Sequence, residues 1–181
     1  MPVRNSFPVA RMAVCSLFVA LTAICAQIII PIGAVPVSLS LLPVLLCGAL
    51  LSPTEAAASM AVYMVLGLIG VPVFAGFTGG PAALFGVTGG YILGYLPCAA
   101  VIALALHGGG KPWWMRALAM AAGILLCYTL GTAWFMRLTG RTAAESLGIC
   151  VLPFVPFDAI KIALAVVLSA RLERPLKRFC G

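Results

Sequence analysis

The run Met12-Ala-Val-Cys-Ser-Leu-Phe-Val-Ala-Leu-Thr-Ala-Ile-Cys-Ala-Gln-Ile-Ile-Ile30 contains no charged side chain. A helix that crosses the hydrocarbon core of a bilayer needs about 20 residues of this kind. The apolar region of a cleaved signal peptide is shorter, about 7–15 residues, and no convincing small-residue cleavage site follows this run. The stretch therefore predicts a first transmembrane helix rather than a removed leader.

The composition extends this prediction to the whole chain. Of the 181 residues, 64% are hydrophobic and 8% are charged, whereas a soluble domain carries about 25% charged residues. Too few polar side chains are available to cover a surface that faces water. The length allows about six spans with short loops. We therefore expect one membrane domain over residues 1–181, with no room for a soluble catalytic domain.

Breaks at glycine and proline divide the chain into six apolar segments. In the third segment, Thr54 is the expected N-cap and Glu55 suits the positive end of the helix. The connections 31–38, 70–88 and 137–153 are the longer ones. The prediction is an all-α membrane protein with six transmembrane helices, at about residues 10–30, 39–51, 54–69, 89–106, 113–136 and 156–172.

The distribution of basic residues predicts the orientation. The net charge is +7, but the charges lie at loops and termini, which indicates topology rather than a nucleic-acid surface. With a cytoplasmic N-terminus, the cytoplasmic side carries Arg4, Arg11, Lys111, Arg116, Arg171, Arg174, Lys177 and Arg178. The outer side carries Arg137 and Arg141. This positive-inside bias predicts that both termini are cytoplasmic and that the long loops, which often carry function, face outward.

The segment Pro156-Phe-Asp-Ala-Ile-Lys-Ile-Ala-Leu-Ala165 places two charges in an otherwise apolar helix. Asp158 is the only aspartate of the chain, and Lys161 follows it by three residues, on the same helical face. A charge inside a span costs roughly 2.5–3.5 kcal/mol on insertion scales, so such residues pair or form a site. Two interpretations follow: a salt bridge that fixes helix packing, or a ligand site near the outer surface. The adjacent acceptor and donor would match a group that offers N–H beside C=O, such as a cyclic urea.

A second pattern lies between Phe74 and Tyr91, where Thr-Gly-Gly occurs at Thr78 and again at Thr88. Glycine permits positive φ and close backbone approach, which predicts a tight loop that offers amide groups and covers a ligand. A re-entrant bend or a helix contact is the alternative. No Gly-Lys-Ser/Thr follows, so this is not a phosphate loop. The residues expected in the covering loop are Phe74, Phe77, Gly79, Gly80 and Tyr91.

Other sequence features bear on partner docking and on enzyme activity. Ser16 and Ala20 form a small-xxx-small pair, which indicates either packing within the monomer or docking of a partner subunit. With one aspartate and a single histidine, His107, neither a Ser-His-Asp triad nor a zinc site is easily built. The seven cysteines show no metal or redox spacing. We expect no enzyme activity, no metal and no cofactor.

Four stretches, in this order, resemble the BioY family, the biotin-specific S components of energy-coupling-factor (ECF) vitamin transporters. The similarity runs from about residue 11 to residue 171. The stretches are Ala20-Leu-Thr-Ala-Ile-Cys-Ala-Gln27 through Val35-Pro-Val-Ser-Leu-Ser-Leu-Leu42, Leu66-Gly-Leu-Ile-Gly-Val-Pro-Val-Phe-Ala-Gly76, Gly86-Val-Thr-Gly-Gly-Tyr-Ile-Leu-Gly94 and Pro156-Phe-Asp-Ala-Ile-Lys161.

This resemblance implies a six-helix S component of the cell membrane that binds biotin in an outward-facing, loop-covered pocket. It implies as partners, besides membrane lipid, a transmembrane coupling protein and two cytoplasmic ATPases. Asp158 and Lys161 should contact the ureido ring, with Tyr91 and the glycine loop nearby. Ser40 stands where the family commonly has glutamine.

By the same resemblance, Ser16 and Ala20 should face the coupling protein. Two alternatives to biotin capture stay open: an S component for another small vitamin, and a structural membrane protein in which the Asp-Lys pair locks helices.

Overall fold

The structure, a computed structural model, describes residues 9–30 and 37–180. Within these ranges it contains eight helices and one two-stranded hairpin. In chain order they are α1 Val9–Ala26, β1 Ile29–Ile30, β2 Val37–Ser38, α2 Leu41–Leu50, α3 Pro53–Leu68, α4 Pro81–Leu84, α5 Gly89–Leu106, α6 Trp113–Thr139, α7 Ala143–Cys150 and α8 Val155–Cys180. The strands are antiparallel, with Ile29 opposite Ser38 and Ile30 opposite Val37.

The predicted all-helical class is confirmed, and several of the described helices are candidate membrane spans. By length and composition, α1, α5 and α6 can each cross a membrane, and α7 with α8, which meet at 53°, form a fourth candidate. α2 and α3 are shorter, with 10 and 16 residues. At 1.5 Å per residue α2 is about 15 Å long, roughly half the thickness of the hydrocarbon core.

The first helix is shorter than predicted. α1 ends at Ala26 rather than at residue 30, because Ile29 and Ile30 pair with the strand β2. β-Branched residues suit a strand, and the residue before a proline is biased away from the helical region. The predicted break at residues 31–33, most of the predicted outer loop 31–38, and Arg4 lie outside the described residues.

The third helix begins at Pro53, and its N-cap is Ser52 rather than the predicted Thr54. Ser52 Oγ accepts from the Glu55 amide at 3.4 Å, and the Ser52 amide donates to Glu55 Oε2 at 3.0 Å. Pro53 occupies the first helical position. A backbone N–H at this position would have no acceptor within the helix, so proline costs no hydrogen bond there. Ser52 and Glu55 therefore form a capping box, which the choice of Thr54 overlooked.

The last helices run past their predicted ends. α6 continues to Thr139 and ends at Gly140, which has a φ of 68°. α8 continues to Cys180, where an i,i+4 ion pair between Glu173 and Lys177 joins Oε1 and Nζ at 2.7 Å and supports the helix. The predicted ends rested on the loss of hydrophobicity, which marks where a helix leaves the membrane rather than where it stops.

Two connections predicted as loops contain short helices. The segment 137–153 contains α7. Thr142 and Glu145 form a second capping box at the start of this helix. The Thr-x-x-Glu spacing was readable from the sequence. The segment 70–88 contains α4, a single turn that begins with a proline at its first position.

Arg116, counted above among the cytoplasmic charges, is buried inside the helix bundle. Its guanidinium donates to the Lys111 carbonyl at 3.0 Å and to Ser169 Oγ at 3.2 Å, and it forms an ion pair with Glu173. Glu173 also accepts from the Gly110 amide at 2.7 Å. A buried charge requires such partners, and here they fix the α5–α6 turn against α8.

Helices α5 and α6 form the most extensive helix pair, and glycines set their separation. A Cβ added to Gly94 would lie 2.9 Å from Cys127 Sγ and 3.2 Å from Cys127 Cα. A Cβ on Gly90 would overlap Trp134 and lie 3.2 Å from Gly131 Cα. Small residues let the two backbones approach closely, which is how helices gain contact in lipid.

The substitution Gly90→Ala should therefore destabilise the protein. The added methyl must displace the base of the Trp134 side chain, with its Cβ 2.3 Å away, and overpacking of this kind costs about 1–3 kcal/mol. Thermal unfolding of purified protein in detergent measures the effect. Gly148→Ala is the matched control, because a Cβ there meets nothing within 4 Å and alanine is the better helix former. Equal melting temperatures for the two variants would contradict close packing of α5 on α6.

Candidate ligand-binding site

A cavity of about 470 Å³ lies among the helices. Its lining residues come from the hairpin, from every helix except α7, and from connections that include the segments 74–78 and 86–88. Among the described residues that line it, Asp158 and Lys161 carry the only charges. The other lining residues with polar side chains are Ser38, Ser40, Tyr63, Thr78, Thr88, Tyr91, Tyr95, Cys127 and Tyr128. Most of the surface that lines the cavity is nevertheless apolar, as is usual for small-molecule sites.

The charged pair forms one wall of this cavity. Asp158 lies in the first turn of α8, where the helix dipole favours a carboxylate, and both residues are buried, with 4% and 6% of their surface exposed. Lys161 Nζ lies 2.8 Å from Asp158 Oδ1 and also donates to the Ser38 carbonyl at 2.8 Å. Asp158 Oδ2 accepts from the Tyr128 hydroxyl of α6. The pair therefore connects α8, α6 and the hairpin at the cavity.

Ser40 lies in a chain of hydroxyl groups beside the pair. Its Oγ is 2.6 Å from Ser38 Oγ and 2.6 Å from the Tyr95 hydroxyl. Ser40 is fully buried just before α2, so its side chain joins the hairpin to α5. With two bonds made, the hydroxyl keeps a lone pair with which it can accept a further hydrogen bond from a ligand.

Aromatic rings supply much of the remaining lining. Phe74 is buried and contacts Tyr63 edge to face, with ring centroids 5.5 Å apart, and Tyr63 lies 6.4 Å from Tyr95. The Tyr91 hydroxyl is 3.2 Å from Thr132 Oγ1. Rings with one polar atom can pack against an apolar ligand and still orient it. Phe74 and Tyr91 thus lie with Asp158, Lys161 and Ser40 in one cavity.

Three residues of the expected covering loop do not line the cavity. Phe77 is 72% exposed. Gly79 permits a close approach, since a Cβ there would lie 2.5 Å from the Val71 carbonyl oxygen. Gly80 has a φ of 87°, and its amide donates to the Gly67 carbonyl at 2.6 Å. The glycines therefore shape the backbone, and the Gly80 amide is already used within the protein.

Sequence reasoning missed three polar groups of the cavity wall: the Tyr128 hydroxyl, the Tyr95 hydroxyl and the Ser38 carbonyl. Tyr95 could have been found, because it follows Tyr91 by four residues and so shares its helical face. Tyr128 gave no such signal, since its partner Asp158 is 30 residues away in the chain. The proposed docking residues Ser16 and Ala20 lie apart from the cavity and are exposed on α1.

Solved structures define the class of protein. The chain resembles the S component for biotin from an ECF-type ABC transporter, with a TM-score of 0.88 and 28% identity, over 96% of this chain and 95% of that one. The crystal structure of FolT bound with folic acid shares the fold, with a TM-score of 0.61 and 16% identity, over 87% of this chain and 88% of that one. The architecture is therefore that of an ECF S component, a multi-pass membrane protein.

Sequence relatives then give the family. The BioY family profile matches residues 1–178. A probable biotin transporter BioY from Pyrococcus horikoshii is 44% identical over 158 residues, which cover 87% of this chain and 93% of the relative. The biotin transporter BioY from Thermotoga maritima is 34% identical over 158 residues, with coverage of 87% and 92%. The chain belongs to the BioY family, whose members are transporter components rather than enzymes.

Removing one member of the charged pair should cost more stability than removing both. Lys161→Met leaves the Asp158 carboxylate buried without its cation, and breaking a buried pair in this way costs about 3–5 kcal/mol. The double variant Asp158→Asn/Lys161→Met removes both charges and should recover most of that loss. Unfolding in detergent without any added ligand measures all three proteins. A Lys161→Met variant as stable as the parent would contradict the expected cost of leaving one charge of the pair buried alone.

Proposed function

We propose that this chain captures biotin on the outer face of the membrane and carries it into the cell as the S component of an ECF-type transporter. The observation that carries the proposal is the buried Asp158–Lys161 pair on the wall of a 470 Å³ cavity. This pair occurs in a chain with the fold of a biotin S component. The names of the BioY relatives support the same substrate.

The chemistry of the cavity suits the ureido ring of biotin. That ring offers N–H donors and one C=O acceptor in a single plane. The Asp158 carboxylate can accept from an N–H, and the Lys161 ammonium can donate to the C=O. In a buried site, charge-assisted bonds of this kind are worth about 1.5–3 kcal/mol each. We infer that these two residues select the ureido group.

The thioether ring and the alkyl chain of biotin are apolar and suit the remaining lining. They can pack on the rings of Phe74, Tyr91 and Tyr95. Ser40 can add one polar contact by accepting a hydrogen bond with its remaining lone pair. In this proposal Gly79 and Gly80 act indirectly, by shaping the loop that carries Phe74.

A second candidate function has one observation in its favour. Both charges already have protein partners, since Lys161 donates to Ser38 and Asp158 accepts from Tyr128. A pair so fully bonded could serve only to lock α8 against α6 and the hairpin. The two functions differ in ligand binding, because a structural lock predicts that biotin changes nothing.

For the topology we propose six spans with both termini in the cytoplasm. The spans are α1, α2, α3, α5, α6 and the α7–α8 pair, which together form one S-component domain over residues 1–181. The few basic residues near the outer ends of the helices, Arg137 and Arg141, support this orientation. The cavity then opens outward, and the Arg116–Glu173 network lies on the cytoplasmic side.

The energy for transport would come from other subunits. We propose a transmembrane coupling protein and two cytoplasmic ATPases, in line with the ECF S-component fold. The chain has no phosphate-loop motif of its own. Ser16 and Ala20 lie on an exposed helix face, where small side chains allow another helix to approach closely. We propose this face as the contact for the coupling protein.

Isothermal titration of the detergent-solubilised protein with biotin tests the substrate. The parent should bind tightly, and Asp158→Asn and Lys161→Ala should each weaken binding by about 10- to 150-fold, the equivalent of one charged hydrogen bond. Lys177→Ala is the matched control, because it removes an exposed i,i+4 ion pair from the same helix. If biotin produces no heat and no stabilisation while Asp158→Asn lowers the melting temperature, the structural lock is the correct function.

Reporter fusions in cells test the orientation. Green fluorescent protein, which fluoresces when it folds in the cytoplasm, should be bright when fused after residue 181. Alkaline phosphatase, which is active outside the cytoplasm, should be active when fused after Gly140, in the connection between α6 and α7. The control exchanges the two reporters. Alkaline phosphatase after residue 181 and green fluorescent protein after Gly140 should both be inactive. The reverse pattern would exclude an outward-facing cavity.

A further inference from the structure

Gln27 connects the end of α1 to a distant part of the cavity wall. Its side-chain Nε2 donates to the Ala23 carbonyl at 3.0 Å and to the Phe74 carbonyl at 3.1 Å. Its Oε1 accepts from the Phe77 amide at 2.7 Å. One half-buried side chain thus bonds, with both ends of its amide, to two backbone groups about 50 residues further along the chain.

The segment 74–78 that Gln27 holds is a tight turn with a disfavoured conformation. Phe74 and Thr78 form an antiparallel bridge, in which the Phe74 amide donates to the Thr78 carbonyl at 3.0 Å. Within this turn Phe77 has a φ of 55°, and among the described residues it is the only non-glycine residue with a positive φ. That region is uncommon for a residue with a large side chain. The bond from the Phe77 amide to Gln27 helps to hold it there.

The same segment forms part of the cavity wall. Phe74, Ala75 and Thr78 line the cavity, whereas Gln27 does not. The Phe74 ring fits over Gly67, where any added Cβ would overlap it. The Phe77 side chain points away and is exposed, so it gives the turn little packing of its own. Packing of the Phe74 ring fixes the start of the segment, and the anchor at the end of α1 holds the backbone at Phe77, which its own side chain does not pack.

We propose that Gln27 is a positioning residue that holds the segment 74–78 closed against the cavity and so sets the rate at which bound ligand leaves. The inference rests on the proposed function, with biotin as the ligand. Gln27 acts through Phe74 and its neighbours rather than by touching the ligand. Loss of its amide should therefore speed dissociation while the contacts made by Asp158 and Lys161 stay in place.

Two variants separate the amide from the length of the side chain. Gln27→Met keeps a similar length and removes both bonds to the segment. Gln27→Asn keeps the amide on a side chain one methylene shorter, which cannot span the same distance. Thr129→Val is the matched control, because it removes a side-chain bond to the Leu126 carbonyl on an exposed part of α6.

The measurement is the dissociation of radiolabelled biotin from purified full-length protein after addition of excess unlabelled biotin. Gln27→Met should release biotin about tenfold faster, as expected for the loss of two ordinary hydrogen bonds. Gln27→Asn should also release it faster. Association should not be slowed in either variant. Thr129→Val should behave as the parent does.

Hydrogen exchange of the Phe77 amide provides a readout that does not need a ligand. In Gln27→Met this amide should lose protection while the amides of α5 and α6 keep theirs. If the parent binds biotin, an unchanged dissociation rate or an unchanged Phe77 amide overturns the proposal, as does loss of protection throughout the helices. If the parent does not bind biotin, the proposed function fails, and the exchange comparison alone decides whether Gln27 holds the segment.

Discussion

The buried ion pair between Asp158 and Lys161 is the interaction on which the site depends. In an apolar bundle a charge without partners costs several kcal/mol, so the surrounding chain must supply polar groups. It does so from two other elements, the Tyr128 hydroxyl of α6 and the Ser38 carbonyl of the hairpin. The need to satisfy two charges therefore brings α6, α8 and the hairpin together at one place. The cavity lies at this meeting point.

Helix α5 links that charged wall to the close-packed part of the bundle. Gly90 and Gly94 allow α6 to approach, which holds the two long helices in a fixed register. The next residues along the helix, Tyr91 and Tyr95, reach the cavity, and the Tyr91 hydroxyl also bonds Thr132 of α6. Residues that set the helix packing and residues that line the cavity thus alternate within two turns of the same helix. A change in the glycines would move the tyrosines as well.

The sequence predicted those features that depend on local signals. Composition predicted a helical membrane protein, and the spacing of Asp158 and Lys161 predicted a pair on one helical face. Helix ends were less accurate, because hydrophobicity stops at the membrane surface while ion pairs such as Glu173–Lys177 extend the helix into water. The contacts of Tyr128 and Gln27 join residues 30 to 50 positions apart. No local pattern encodes contacts of that kind, so only the folded chain shows them.

The Arg116–Glu173 network has a mechanical consequence for α8. This helix is joined to α6 by buried polar contacts at two levels, through Asp158 and Tyr128 near its start and through Glu173 and Arg116 near its end. Rotation or sliding of α8 along α6 would separate both sets at once, and each holds a buried charge. Relative movement of the two helices therefore costs more free energy than movement of elements that lack such buried charges, because an unpaired buried charge is unfavourable.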